Sequence, residues 1–414
     1  RESTEPNKHR NLLGSMGEAG VLELTCHVQK YHWGKRGPSS LVAQLALDGN
    51  HMESIDESTP YAELWMGTHP SCPSQIRGTD KTLASYITEN PECLGSSVRA
   101  VFGVQLPFLF KVLSVGAPLS IQAHPTKVMA KKLHEASPDL YPDSNHKPEI
   151  AIALTDFEAF CNFRPLQEIT NLLKGLPELR EVLGPLAEKP LSSKADLHSW
   201  FKAVITAPDK VFLPQLEKLT ERLEKNVEGA GIPHEIATVF LKVHKNYPDD
   251  IGCFVIFFLN YVKLKPGEAL FLAADEPHAY IYGDCVECMA CSDNVVRAGL
   301  TPKHKDKETL CSMLSYNSVP LSQVRFPAVS TSLETCCYSP PISDFAVNMI
   351  KITPETHYLL KGIGSASILL VIHGDGKIGG LTVQKGSVLF LAAEKAHTIV
   401  TVSSMCLYQA FCPV

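Results

Sequence analysis

Apolar and polar residues alternate along Leu119-Ser-Ile-Gln-Ala-His124, a stretch closed by Pro125. A period of two predicts a strand with Leu119, Ile121 and Ala123 on one face and Ser120, Gln122 and His124 on the other. The mostly apolar run from Pro107 to Val115 predicts a buried strand just before it, interrupted by Lys111. Further on, His146-Lys-Pro-Glu149 opens a strand from Ile150 to Leu154. Glu149, Ala151 and Ala153 share one of its faces, and the two small side chains leave room there. Strand and turn are expected from Cys26 to Gly37, short helices around Thr82 to Glu89 and Pro91 to Phe102, and a helix after Thr126 as N-cap. From about Leu166 to His244 the period becomes helical: Leu166, Ile169 and Leu173, then Leu216, Leu219 and Leu223 after Pro214, then Ile236, Val239, Phe240 and Val243. Strand character is expected again from Ile251 onward, with turns at Lys265-Pro-Gly267 and Tyr282-Gly-Asp284.

This last region contains an internal repeat. Gly267-Glu-Ala-Leu-Phe-Leu-Ala-Ala-Asp-Glu-Pro-His278 aligns without a gap on Gly386-Ser-Val-Leu-Phe-Leu-Ala-Ala-Glu-Lys-Ala-His397, 119 residues later. Two copies of a glycine turn, a buried strand and a histidine opening the next strand predict paired barrels of the jelly-roll kind. The expected fold is therefore mainly β, two related β units of cupin type, with an inserted helical domain. Its expected divisions are an N-terminal extension over 1–15, with Met16 the expected start; 16–155, contributing to a catalytic barrel; helices over 156–250; the rest of that barrel over 251–325; and a degenerate second barrel over 326–414.

Bulk composition narrows the function classes. The chain has 414 residues, 44% hydrophobic and 20% charged, which is enough for two or three domains. A net charge of −6 without a basic helix face argues against nucleic acid and anionic membrane as partners. The longest apolar stretches, such as Ile251 to Val262, fall short of the ~20 residues a membrane-spanning helix needs. Thirteen cysteines, several inside apolar strands (Cys161, Cys253, Cys406), read as free thiols in a reducing, cytoplasmic compartment.

Gln122 and His124 are either ordinary hydrogen-bonded strand positions or half of a metal site completed by other strands. His278 heads a strand on which Tyr280 and Tyr282 share its face. Together with Glu149 these make two imidazoles, one amide oxygen and one carboxylate, a set that suits zinc with a position left open. His397 occupies the repeat position of His278 but has no counterpart of Gln-x-His or Glu149 in its half, so it reads as a structural relic. Lys111 must either snorkel or meet an anion. The aromatic stretches Tyr31-His-Trp33 and Tyr61 to Pro70 are either core or pocket lining. Cys285, Cys288 and Cys291 have iron-sulfur-like gaps but lack a fourth cysteine, and read as small apolar fillers. Asp293 and Arg297 form either a plain loop ion pair or, beside a metal, a carboxylate base and an anion anchor.

Taken together, Tyr61-Ala-Glu-Leu-Trp-Met-Gly-Thr-His-Pro70, Pro107-Phe-Leu-Phe-Lys-Val-Leu-Ser114, Leu119-Ser-Ile-Gln-Ala-His-Pro125, Asn145-His-Lys-Pro-Glu149 and Ser292-Asp-Asn-Val-Val-Arg-Ala-Gly-Leu-Thr301 resemble the type I phosphomannose isomerases. The resemblance runs from Cys26 to about Pro302 and more weakly to the end. It implies a cytoplasmic cupin enzyme, expected to be a monomer with one zinc ion per chain, that interconverts mannose 6-phosphate and fructose 6-phosphate and so supplies GDP-mannose synthesis. By the same resemblance the zinc ligands fall on Gln122, His124, Glu149 and His278, and the active-site arginine on Arg297. Lys111, Ser120, Lys147, Tyr280, Glu287 and Asp293 match pocket residues, with Asp293 or Glu287 carrying the proton, Lys147 assisting on oxygen, and Lys111, Ser120 and Tyr280 binding substrate. Two rival classes are a non-catalytic bicupin that binds a metabolite around a structural zinc, and a metal-dependent oxygenase, against which the Gln122 ligand argues.

Overall fold

The computed structural model describes residues 20–229 and 231–414, so the expected extension over 1–15 and the expected start at Met16 lie outside the described residues. Phe108–Val115 is buried along its whole length because Glu63–Met66 pairs with one of its edges and His278–Ala290 with the other. Its two faces separate by parity. Phe108, Phe110 and Val112 enter a hydrophobic core, whereas Leu109, Lys111 and Leu113 line a cleft. Among the described residues the paired strands of this sheet run antiparallel.

His278–Ala290 is one continuous strand, so the turn expected at Tyr282-Gly-Asp284 does not form. Gly283 (φ 114) instead bends the strand where it passes close to its neighbour. A Cβ there would lie 2.4 Å from the Asp156 carbonyl oxygen and 2.8 Å from Phe157 Cα, so only glycine fits. Before the bend the strand pairs with Phe157–Phe163 and, through His278, with Gln122; after it, with Phe108–Val115 and Glu149–Ala153. One strand thereby delivers His278 and Tyr280 at one end and Glu287 at the other.

The helical stripes bury against one another. Leu166–Lys174, Pro177–Leu183, Lys194–Ile205, Asp209–Lys225 and His234–Asn246 share a core with Leu197, Phe201, Leu216, Leu219, Phe240 and Val243 at its centre. Asp209–Lys225 starts before Pro214, which is its sixth residue, so the ring leaves the Lys210 carbonyl without its helical N–H donor. The strand expected from Ile251 begins only at Leu259, because Gly252–Val255 and Ile256–Phe258 are helical and fully buried. Continuous apolarity cannot separate a short buried helix from a buried strand. Phe157–Phe163, within the stretch 156–250, is a strand of the sheet. The helical core continues under Ile121, Ala123, Val296 and Ala298, and so backs the strands whose other faces carry Gln122 and Arg297.

The sequence repeat is also a backbone repeat. Gly267 (φ 89) and Gly386 (φ 85) correspond, as do Asp275 (φ 63) and Glu394 (φ 64), and His278 and His397 each open a strand. In the C-terminal unit Val388–Leu391 pairs with Ser367–His373 and also with Val21–Thr25, so the first described strand belongs to the sheet of the last unit.

His51 helps tie these ends together. Its Nδ1 accepts from the Cys26 amide at 3.1 Å, and its Nε2–H donates to the Gly386 carbonyl at 2.9 Å. Burial pushes its pKa down to about 4. The unfolded chain then binds the extra proton between pH 4 and 6.5, so this contribution is complete above the unfolded value and is lost as pH falls toward 4, by about 3 kcal/mol in all. Melting temperature should therefore drop on acidification from pH 7.5 to 5 less steeply in His51→Gln than in the wild type. Equal slopes for the two proteins would contradict the assignment.

Candidate metal centre and active site

Two cross-strand rows build the site. In the first, Trp65 lies opposite Lys111, Lys111 opposite Glu287, and Glu287 opposite Ala151. In the second, Arg297 lies opposite Gln122 and Gln122 opposite His278. Between them opens a cleft of about 440 Å³, within the size range of small-molecule sites. Lys111, Ser120, Gln122, Lys147, Glu149, Tyr280, Glu287, Asp293 and Arg297 line it, and His124 and His278 are buried against Glu149 and Gln122 at its floor.

The floor holds a cluster of donors with no hydrogen to share. The ligand atoms of His124, Glu149 and His278 lie within 4.8 Å of one another. His124 Nδ1–H donates to the Asn294 carbonyl at 2.8 Å, and His278 Nδ1–H to the Glu276 carbonyl at 3.2 Å. Both rings therefore turn an Nε2 toward Glu149 Oε2, each at 3.4 Å. Burial pushes His124 down to about 4, leaving its ring neutral at pH 7. Burial also opposes ionisation of Glu149, but the Lys147 ammonium beside it favours the carboxylate, and the carboxyl is held well below its usual range. His124 Nε2 and Glu149 Oε2 are both buried without a hydrogen-bond partner, a costly arrangement that a cation between them would satisfy.

Gln122 completes the set. Ser120 Oγ donates to its Oε1 at 3.2 Å, and its Nε2 lies 3.4 Å from His278 Nε2. A half-turn of the amide would present the oxygen instead, the atom a cation takes. Two neutral imidazoles, a carboxylate and an amide oxygen fit a divalent metal such as zinc.

The wall of the cleft is a charge network. Lys111 Nζ lies 3.2 Å from Glu287, 3.5 Å from Glu63 and 5.1 Å from the centre of the Trp65 ring. Burial works against its ammonium, but Glu63 and Glu287 outweigh burial and keep it charged. Lys111 thus meets anions and does not snorkel. Glu287 also accepts from Tyr280 Oη at 2.8 Å, and burial raises its pKa although Lys111 opposes this. Trp65 Nε1 donates to Glu63 at 2.5 Å.

Asp293 and Arg297 do not pair with each other among the described residues. Asp293 sits before the strand, in a loop its amide ties to Asp143, and its carboxylate faces His69 Nε2 at 3.4 Å. That hydrogen bond, against partial burial, lowers its pKa. Arg297 has no carboxylate within ion-pair distance among the described residues, and neither has Lys303, which lines the same cleft. The three spaced cysteines are free thiols: Cys285 and Cys288, three apart on one strand, point into different cores and cannot converge on a cluster. Tyr31 and Trp33 also line the cleft.

Glu63, His69, Asn294 and Lys303 escaped the sequence reading as individual site residues. Glu63 and His69 lie in the aromatic and acidic stretch singled out there, and Asn294 and Lys303 flank Arg297. Asn294 Nδ2 donates to the carbonyls of Asp143 and Asn145 at 2.7 and 3.0 Å, and so locks the loop whose carbonyl orients His124.

Comparison with known proteins gives a consistent result. Residues 21–166 match the model of the phosphomannose isomerase type I catalytic domain, and residues 180–259 that of the phosphomannose isomerase type I helical insertion domain. The chain is 45% identical to mannose-6-phosphate isomerase of Bos taurus, over 93% of this chain and 96% of that protein. It is 43% identical to mannose-6-phosphate isomerase of Schizosaccharomyces pombe, over 95% of this chain and 100% of that protein. Among solved structures it resembles a mannose 6-phosphate isomerase bound with zinc and yttrium, with a TM-score of 0.83 and 30% identity over 96% of this chain and 100% of that one.

Proposed function

The chain belongs to the type I phosphomannose isomerases, and from that premise we propose that its cleft holds one zinc ion on Gln122, His124, Glu149 and His278 and there interconverts mannose 6-phosphate and fructose 6-phosphate. The observation that carries the metal assignment is the pair of orphaned buried atoms, His124 Nε2 and Glu149 Oε2, facing each other across 3.4 Å.

Aldose to ketose conversion removes a proton from C2 of the open-chain sugar and returns one to C1, through an enediol whose oxygens gather negative charge. When bound, zinc supplies a positive charge and Lewis acidity beside those oxygens. Asp293 is the better proton carrier of the two candidates, because both Glu287 oxygens are already engaged by Tyr280 and Lys111. With His69 behind it, Asp293 is ionised at neutral pH and reaches the cleft. Lys147, 3.4 Å from Glu149, is placed to give and take a proton on oxygen. Lys111 and Tyr280 hold Glu287, and Ser120 orients the Gln122 amide. Arg297 and Lys303, the lining cations without a carboxylate partner among the described residues, are left for the phosphate and the enediolate. A dianionic phosphate then contributes remote binding energy that keeps C1 and C2 in register.

The reading extends to a cytoplasmic monomer. Free cysteines suit a reducing compartment, and the eleven expected site residues meet within one chain. No helix among the described residues is long and apolar enough to cross a membrane.

A coupled assay for fructose 6-phosphate formed from mannose 6-phosphate tests the proposal, on protein as purified, after chelation, and after zinc is restored. Activity should vanish with the metal and return with zinc. Folded, zinc-loaded protein without turnover would overturn the reading.

A further inference from the structure

The helical segment reaches the cleft through the turn Tyr247 to Gly252, and we infer that Asp250 in this turn is a positioning residue for the phosphate end of the substrate. The inference rests on the function proposed above. Asp250 is buried, yet it belongs to no row of the sheet and approaches no metal ligand. Its carboxylate gathers four donors. Oδ1 accepts from the amides of Gly252 at 2.7 Å and Leu300 at 2.8 Å, and Oδ2 from the Thr301 amide at 3.4 Å and Lys305 Nζ at 2.6 Å. Three of these donors belong to the segment that follows Arg297 and carries Thr301, Pro302 and Lys303 along the cleft wall.

That segment does not hold its shape unaided. Leu300 has φ 54, a left-handed conformation that a branched side chain adopts only when its surroundings impose it. The imposition is local. A Cβ on Gly299 would lie 2.6 Å from Gly252 Cα and 2.7 Å from Asp250 Oδ1, and a Cβ on Gly252 would lie 2.7 Å from the Leu300 nitrogen. Glycine at both positions lets the two backbones touch, and the Asp250 carboxylate then reaches the Leu300 and Thr301 amides.

The same turn also holds the strand paired with Val296–Gly299. Tyr247 Oη donates to the Pro118 carbonyl at 2.8 Å, just ahead of Ser120 and Gln122, and its ring lines the cleft. Six residues from the helical segment thus secure two neighbouring stretches of one wall, that with Ser120 and Gln122 and that with Arg297 and Lys303. Thr301, Pro302 and Lys303 contribute no metal ligand and no proton carrier. Loosening them therefore weakens the grip on phosphate before it slows the chemistry.

The experiment compares wild type, Asp250→Asn and Asp250→Ala for kcat, KM for mannose 6-phosphate, inhibition constant of inorganic phosphate, zinc content and melting temperature. Asp250→Asn keeps an acceptor for the amides but loses the charge facing Lys305, and should raise KM about threefold; Asp250→Ala should raise it about tenfold or more. The phosphate inhibition constant should rise in step with KM, while zinc content stays at the wild-type level and kcat falls less than about threefold. Should Asp250→Ala fail to fold, Asp250→Asn alone decides. An unchanged KM and phosphate constant in the folded variants, or a loss confined to kcat, overturns the inference with the isomerase reading intact. A wild type that neither turns over mannose 6-phosphate nor binds phosphate overturns both.

Discussion

Arg297→Ala is expected to lower kcat for mannose 6-phosphate by about 10²- to 10³-fold, the usual consequence of removing one charged donor aimed at a developing oxyanion. Zinc content should not change. The guanidinium lies on the strand Val296–Gly299, whose backbone pairs with Gln122. It is more than half buried, and burial lowers its pKa with no carboxylate beside it among the described residues to offset the cost. A buried cation without an anion is expensive, and a substrate anion repays that cost only when bound. Arg297→Lys should recover only part of the rate, since an ammonium keeps the charge but loses the planar fork. The measurement is steady-state kinetics beside metal analysis on the same preparations. Wild-type turnover in Arg297→Ala would remove Arg297 from the mechanism, and loss of zinc would recast it as a structural support of Gln122.

Much of this site was legible because strands expose their logic at a period of two. Ser120, Gln122 and His124 on one face, and Glu149 ahead of Ala151 and Ala153 on another, are placed by alternation alone, and the structure gathers them at one cleft. The repeat was legible because a left-handed turn demands glycine, and Gly267 and Gly386 keep the same sign of φ. What stayed hidden depends on distance along the chain. Nothing local to Asp250 says that it meets Leu300, fifty residues on, and nothing in Val21–Thr25 says that its partner is Val388–Leu391. The bend at Gly283 was read as a turn because Tyr-Gly-Asp is turn chemistry; only the close approach of Phe157 makes it a bend within a strand. Gly252–Val255 and Ile256–Phe258 look like strand in the sequence for want of any polar residue to reveal a helical period.

The two repeat histidines allow the metal assignment to be tested inside one molecule. His278→Ala should abolish stoichiometric zinc binding and reduce isomerase activity to background, whereas His397→Ala should leave both at wild-type levels. The contrast follows from their surroundings and not from the residues themselves, which occupy equivalent positions in equivalent backbone. Each is buried, and the Nε2 of His397, like that of His124, is buried without a hydrogen-bond partner. Burial also lowers the His397 pKa, so its ring is neutral and chemically able to ligate. What it lacks is company: among the described residues the groups that could hold a metal ion comprise His124, Glu149 and His278, and none includes His397. One imidazole binds a divalent ion weakly, whereas three converging donors and an amide oxygen share the cost of dehydrating it. His397→Ala should therefore register only as a loss of stability, about 1–2 kcal/mol for an imidazole removed from a packed interior. Zinc per chain, measured after dialysis against a weak chelator, decides the matter. A half-loss of metal in each variant would mean that both units bind zinc and that the second site is no relic. Full retention in His278→Ala would remove His278 from the ligand set.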